Sequence, residues 1–550
     1  VTDTLLKPRE QDLNEPATLG ALLARSLAWN ADAEALAMPG ERLSYRQFDA
    51  RVEAMAGALA AAGAGKGARI ALLAPDSILW ATAFFAATRI GAIVIAVSTL
   101  ATAPELAHIL RHSDTQILIG VRSFLRHDYV ARLETAFPEL RQAGAGPLWL
   151  ADAPYLRSIW LDDADGVGWA RSHADLLDLP KPPPGHVSHM SAQVVPSDDA
   201  VLIYTSGSSS LPKAVVHTQG SVTQHSLVLA RYFRMKPEDR LMPLLPVFWI
   251  GGLTMLIEVL GSGGTVIYTG SPEPEAIAAA VTALGVNRIN SWGPQVEKIR
   301  SALSRAGIDP DAIVGLGPEL GDDGQPVPSG LAANMLGMTE SFGPHSSEVL
   351  GSRLPEAKAG ASGRVTSDYE RRIVDPETGE IMGPNHVGEL QLRRGGLMRT
   401  LYKLDPDCVF TPDGFYPTGD KARIDADGYL FFEGRRTDMI KTAGANVSRQ
   451  EVEAALRQLP GVALPIVVPL NDEEAGQIVV AAVVPADGCQ ISEESLKAGL
   501  RELVASYKVP RRIVIILETD IEWTPSHKIK LAELARLITA KIGHETPSRS

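Results

Sequence analysis

Short apolar runs suited to strands alternate along this chain with alanine-rich stretches suited to helices, and this alternation constrains the fold more than any other feature. The strand-like runs include Ala68-Arg-Ile-Ala-Leu-Leu73, Ile117-Leu-Ile119, Val201-Leu-Ile-Tyr204 and Gly264-Thr-Val-Ile-Tyr268; the helical stretches lie around 49–63, 79–90, 221–233 and 274–284. Strands separated by helices of this length pair mainly in parallel with helices on their faces, so the expected class is α/β. At 550 residues the chain exceeds what one core supports, and two or more domains are expected.

The pattern weakens from about 136 to 198, where Lys181-Pro-Pro-Pro-Gly-His186 marks an extended loop. Beyond about 360 the texture changes to short strands with the turn signals Asp375-Pro-Glu-Thr-Gly379, Asp413-Gly414 and Asp425-Ala-Asp-Gly428, which predict a small β-rich subdomain. After Gly434-Arg-Arg-Thr-Asp438, Ser448 followed by Glu451 has the spacing of a capping box and opens the first helix of a separate C-terminal domain. That domain is expected to hold strands at 464–469, 477–484 and 512–517 and a helix at 492–506. No internal repeat or heptad array is present.

With 45% hydrophobic and 21% charged residues the chain is globular, and its formal net charge of −13 argues against a nucleic-acid partner, which would need clustered Lys and Arg. The two cysteines, Cys408 and Cys489, have no metal-ligand or disulfide-framework spacing, so a reducing cytoplasm is expected. Charged residues from Asp3 to Asp12 leave no apolar signal core. Nor is an integral membrane segment expected. Arg89 interrupts Phe84 to Val97, and Glu258 with five glycines interrupts Val247 to Tyr268, so both stretches read as buried helix and strand.

Tyr204-Thr-Ser-Gly-Ser-Ser-Ser-Leu-Pro-Lys213 joins a strand-like run to a loop of small, hydroxyl-bearing residues ending in a lysine. Backbone N–H groups approach an anion closely only where side chains are small; Ser and Thr hydroxyls add donors and the ammonium adds charge, so the loop suits a polyphosphate. It is not a Walker loop, because Pro212 precedes Lys213 and Ala214 follows it. Taken alone, it reads equally well as a Ser-rich surface turn.

Four further segments follow in order: Leu336-Gly-Met-Thr-Glu-Ser341, Tyr416-Pro-Thr-Gly-Asp420, Gly434-Arg-Arg-Thr-Asp-Met-Ile-Lys441 and Thr524-Pro-Ser-His-Lys528. Together with 204–213 they resemble the core motifs of the adenylate-forming superfamily, which includes acyl- and aryl-CoA synthetases, and the resemblance runs from about residue 16 to 540. It implies a large N-terminal adenylation domain over 1–435, made of two α/β-sandwich subdomains and a small β-barrel-like subdomain at about 360–434. A smaller, mobile α+β domain over 438–550 would swing on a hinge near Thr437.

The resemblance also implies ATP, Mg²⁺ and coenzyme A as co-substrates and cofactor, and a small carboxylic acid as substrate. A homodimer is compatible with it. Thr205, Ser206, Gly207, Ser208, Ser209, Ser210 and Lys213 would wrap the β- and γ-phosphates. Leu336, Gly337 and Met338 would lie along the nucleotide, Thr339 would bond the α-phosphate, and Glu340 would ligate Mg²⁺. Asp420 and Arg435 would hold the ribose. Lys528 would bridge carboxylate and α-phosphate during adenylation, and Lys441, Ala443 and Gly444 would line the channel for pantetheine.

The chain departs from the family pattern at Ser209, Ser210 and Ala214, where Thr, Gly and Gly are common, at Leu336, where an aromatic residue usually packs on adenine, and at His527, which replaces a glycine. Phe248, Trp249, Gly251, Gly252 and Met255 suggest an apolar, fairly roomy acyl slot, and also fit an ordinary buried helix start. The expected activity is an AMP-forming acid–thiol ligase acting on an apolar carboxylic acid. Transfer to a carrier-protein thiol, or a degenerate nucleotide-binding protein, are the alternatives.

Overall fold

The computed structural model describes residues 15–205, 212–290, 295–435, 439–472, 474–486, 488–522, 529 and 531–544. Its larger part is built on two sheets with a layer of helices in common. One sheet has eight strands, and its parallel centre is formed by Asp199–Thr205, Ile93–Ala96, Arg69–Leu73, Ile117–Gly120 and Ser158–Leu161, in that spatial order. The other has five strands, with Arg288–Asn290, Arg240–Pro243, Thr265–Ile267 and Glu34–Met38 parallel and Glu41–Ser44 antiparallel at the edge. Parallel strands are covered on both faces, which is why Ile93–Ala96 and Ile117–Gly120 are apolar without alternation and wholly buried.

The helices Tyr45–Ala61, Ile78–Arg89 and Ile250–Gly261 contribute to one apolar core with strands of both sheets. Arg89, which breaks the apolar run, ends its helix buried and pairs with Asp49 at 2.5 Å and Glu53 at 3.2 Å on the neighbouring helix. Glu258 lies fully buried in Ile250–Gly261, and burial pushes its carboxyl up to about 8, against the pull of Arg288. In the weakly patterned region, Ser158–Leu161 extends the parallel sheet, and the proline-rich loop turns at Gly185, with φ 81°, into the short helix His186–Ala192.

The β-rich region begins earlier than 360. Leu336–Met338 pairs with Gly343–Ser347 and then Arg364–Val365, beside an antiparallel sheet of Tyr369–Val374, Gly388–Arg394, Tyr416–Ile424 and Leu430–Arg435. Asp375 shapes the expected turn by accepting from the N–H groups of Glu377 and Thr378.

The smaller C-terminal domain is a sheet with helices on both faces. Strands Val462–Asp472 and Gly476–Pro485 form a long hairpin, and Arg512–Ile515 pairs parallel to the second. Side chains alternate along them: Val467, Val479, Ala481 and Val483 pack with Val452, Leu456, Leu496 and Leu500, whereas Ile466, Val468, Val480 and Ala482 pack with Leu534 and Ile538. Ser448 caps the helix Arg449–Arg457 by accepting from the Glu451 N–H. The expected reciprocal partner acts elsewhere, because Glu451 Oε1 accepts from Lys508 Nζ at 2.8 Å. The helix expected over 492–506 runs Glu493–Leu503, and Ser506–Lys508 forms a separate 3₁₀ turn. Among the described residues no helix is long and apolar enough to cross a membrane. Thr437 lies outside the described residues.

Candidate active site

The strand Asp199–Thr205 delivers the phosphate-type loop, and Lys213–Thr218 takes the chain back antiparallel, with Thr205 directly opposite Lys213. Ser206, Gly207, Ser208, Ser209 and Ser210 lie outside the described residues. Both ends of the loop are held by the helix Ala103–His112. A ring nitrogen of His108 lies 3.2 Å from the Pro212 carbonyl, and His112 Nδ1 lies 2.9 Å from the Tyr204 hydroxyl, which itself donates to the Ile109 carbonyl. Burial lowers the pKa of both rings, which stack on each other 5.2 Å apart. Two histidines four apart on one helix face were a weak signal in the sequence, and neither was anticipated as a support for the loop.

Thr339 and Glu340 occupy a one-turn 3₁₀ segment between the strands Leu336–Met338 and Gly343–Ser347. Phe342 ends it in the left-handed region at φ 46°. The turn is fixed by its backbone. His217 Nε2 donates to the Thr339 carbonyl at 2.8 Å, Met398 N–H donates to the Glu340 carbonyl at 2.8 Å, and the Tyr369 hydroxyl donates to the Ser341 carbonyl at 2.8 Å. His217 is fully buried, and burial lowers its pKa to about 3, so it is neutral and carries its proton on Nε2. A Cβ on Gly337 would lie 2.4 Å from the Gly343 carbonyl oxygen, so only glycine permits this close strand pairing.

Asp420, 2% exposed, sits in Tyr416–Ile424 directly opposite Arg435 in Leu430–Arg435. Gly419 has φ 74°, and the Asp420 N–H donates to Thr418 Oγ1, whose hydroxyl donates to the Leu390 carbonyl. Leu336 and Met338 pack with Leu390, Ala422 and Leu430, so the Thr339–Glu340 turn and the Asp420 strand share one apolar core. The Arg435 side chain and Lys528 lie outside the described residues.

Phe248 and Met255 are buried and Trp249 is half-buried at the start of Ile250–Gly261. Asp76, just beyond the C-terminal end of Arg69–Leu73, accepts from the Val247 N–H at 2.9 Å and fixes this segment to the main sheet. The two glycines lie against the preceding turn. A Cβ on Gly252 would fall 2.3 Å from the carbonyl oxygens of Leu245 and Pro246, and one on Gly251 would fall 2.7 Å from Leu245 Cδ1. Both positions are closely packed, so their small size serves the approach of the Leu245–Pro246 backbone. Thr205, Phe248 and Trp249 line a cleft of about 50 Å³, which Tyr507 of the C-terminal domain also lines.

Lys441 lies in the strand Met439–Thr442, which pairs with Ala445–Ser448 through a two-residue hairpin of Ala443 and Gly444. Both have positive φ, 45° and 85°, as a two-residue type I′ turn requires, which favours glycine at 444. Ala443 also lines a second cleft, which Tyr507 shares with the first.

The profile of the AMP-binding enzyme family matches residues 23–402, and that of the AMP-binding enzyme C-terminal domain matches 451–528. Feruloyl-CoA synthase of an Amycolatopsis species is 29% identical, over 94% of this chain and 98% of that protein. Indoleacetate–CoA ligase of Aromatoleum aromaticum is 26% identical, over 92% and 95%. The amide bond synthetase McbA from Marinactinospora thermotolerans shares the fold with a TM-score of 0.75 at 21% identity, covering 94% of this chain and 99% of that one. The fatty acyl CoA synthetase of Mycobacterium tuberculosis has a TM-score of 0.63 at 25% identity, covering 96% and 99%. With matches that cover most of both domains and five ordered motifs between residues 204 and 528, the chain belongs to the AMP-binding enzyme family of adenylate-forming enzymes.

Proposed function

We propose that this protein is an ATP-dependent acyl-CoA ligase that activates an apolar carboxylic acid as its acyl-adenylate and then forms the CoA thioester, releasing pyrophosphate and AMP. The observation that carries the reading is the rigid Thr339–Glu340 turn, held through its backbone by neutral His217 and sharing a core with the strand of Asp420. Relatives named for feruloyl and indoleacetate substrates support an acid with an apolar ring. Phe248, Trp249 and Met255 are fitting neighbours for one.

Adenylation brings two anions together, so catalysis is mainly positioning and charge stabilisation. Thr205 to Ser210 and Lys213 hold the β- and γ-phosphates, and Lys213 accompanies the departing pyrophosphate. The Thr339 hydroxyl donates to the α-phosphate. The ionised Asp420 carboxylate accepts from the ribose hydroxyls, a task suited to its two acceptor oxygens, and Arg435 reaches the sugar from the opposite strand. Lys528 bridges the carboxylate and the α-phosphate.

Among the described residues no group of three or more His, Cys, Asp or Glu could cage a metal. A hard oxygen donor at Glu340 fits Mg²⁺, which commonly takes one or two carboxylates and fills its shell with phosphate oxygens and water. Bound there, it would neutralise phosphate charge. The C-terminal domain, 438–550, turns about Thr437 between the two steps, so that Lys441, Ala443 and Gly444 line the pantetheine path. Such gating lets one site run two steps.

The test is pyrophosphate release over a panel of carboxylic acids, with and without CoA. Release accompanied by a CoA-dependent thioester is the expected result. Adenylate that accumulates despite CoA would move the acceptor to a carrier-protein thiol, and no nucleotide turnover across the panel would overturn the reading.

A further inference from the structure

The C-terminal domain meets the larger part of the molecule through a compact charged cluster. Lys508 Nζ donates to Glu105 Oε1 at 2.6 Å and to Glu451 Oε1 at 2.8 Å, with all three side chains about nine-tenths buried or more. Glu105 serves two structures at once. Its Oε2 accepts from the N–H and hydroxyl of Thr102, capping the helix Ala103–His112, while its Oε1 also faces the Ala505 N–H at 3.4 Å. The Thr102 hydroxyl oxygen also lies 3.3 Å from the Leu503 carbonyl oxygen, an alternative acceptor for its one proton, and the Tyr507 ring meets Trp249 edge to face with centroids 5.8 Å apart. The pKa of Lys508 is raised: burial works to lower it, and Tyr507, Glu105 and Glu451 outweigh burial, so the cluster is ionic.

We infer that Glu105, Lys508 and Glu451, with the Trp249–Tyr507 ring pair, form an interdomain clasp that holds the C-terminal domain in the orientation for the second half-reaction. This rests on the two-step reading above. The orientation follows from Tyr507, which borders both the cleft at Thr205 and Trp249 and the cleft at Ala443, so the face carrying the hairpin of Ala443 and Gly444 adjoins the acyl segment. A charged clasp suits a joint that must open. The Glu105 carboxylate and the Lys508–Glu451 pair regain hydration on separation, whereas an apolar seam of similar size would resist opening. Glu451 keeps Lys508 paired within its own domain when Glu105 lets go. The same helix that presents Glu105 presents His108 to Pro212 and His112 to Tyr204, so docking bears on the element that holds the phosphate loop.

The two native cysteines are exposed, Cys408 in the β-rich region and Cys489 in the C-terminal domain, and together they provide a donor–acceptor pair for energy transfer across the hinge. The full-length protein labelled there is compared with Glu105→Gln, which retains an acceptor for the Thr102 cap, and with Tyr507→Ala, which retains Glu105, Lys508 and Glu451. Both variants are expected to depopulate the energy-transfer state dominant in the unliganded wild type. Both should slow thioester formation from a supplied acyl-adenylate by about tenfold, a coupling in the usual range, and change pyrophosphate release less than about twofold. An unchanged energy-transfer distribution in both variants overturns the clasp, as does equal slowing of the two steps. A shifted distribution without turnover on any acid supports the clasp and overturns the ligase reading instead.

Discussion

The nucleotide side and the acceptor side of this molecule are held by opposite means. The Thr339–Glu340 turn is fixed by neutral, buried donors: His217 to the Thr339 carbonyl, Tyr369 to the Ser341 carbonyl, and Met398 N–H to the Glu340 carbonyl. The C-terminal domain is docked by a lysine between two carboxylates and by one ring pair. Neutral hydrogen bonds inside a core are lost only on unfolding. Charges brought together at a domain boundary regain hydration when they part, so such a contact is reversible. A site that must keep one substrate still while exchanging the groups facing it needs both kinds of support.

The comparison is broken most severely at Lys528. Lys528→Ala should lower acid-dependent pyrophosphate release by about 10²–10³-fold, the usual cost of removing a group that stabilises developing charge, and leave attack of CoA on supplied acyl-adenylate largely intact. Equal loss in both steps would remove Lys528 from the first step. On the nucleotide side, His217→Ala should slow adenylation by about tenfold to a hundredfold, because a turn displaced by even 1 Å misplaces Thr339. His217→Gln, whose amide donates to the same carbonyl, should recover most of that loss. If Gln is no better than Ala, His217 is not a positioning donor.

A smaller effect is expected at Leu336, which in the proposed function would offer adenine only aliphatic contact. Leu336→Tyr should lower KM for ATP by about two- to tenfold, within the range of aromatic stacking, and an unchanged or higher KM would place the base elsewhere. The smallest effect on activity is expected at Glu258. Its carboxyl, about 8 when folded against an ordinary 4.5, favours folding most when protonated, so its contribution is full below 4.5 and is lost as pH rises through about 8. Glu258→Gln should therefore flatten the fall of Tm across that interval. A variant curve parallel to wild type would contradict the assignment.

Much of the fold was legible because its signals are local. Apolar runs such as Arg69–Leu73 are complete statements of a buried parallel strand, and Asp375 fixes its turn with residues two and three positions on. The site motifs were legible as types of residue, and the pairing of Asp420 with Arg435 across one ladder adds the geometry. What stayed hidden depends on distant partners. His217 looks like any polar residue in an apolar strand until Thr339, 122 positions away, is brought to it. Lys508 and Glu105, 403 apart, carry no local mark of their contact. The crowding of Gly251 and Gly252 against Leu245 and Pro246 was hidden for the same reason, since it appears only once the chain has turned back.

In the proposed reaction the first step is complete before the acceptor arrives. The most direct measurement is exchange of labelled pyrophosphate into ATP, with the protein, Mg²⁺ and a ring-bearing carboxylic acid present and CoA absent. Acid-dependent exchange without CoA is the predicted result; exchange that requires CoA, or turnover that releases ADP and inorganic phosphate, would contradict it.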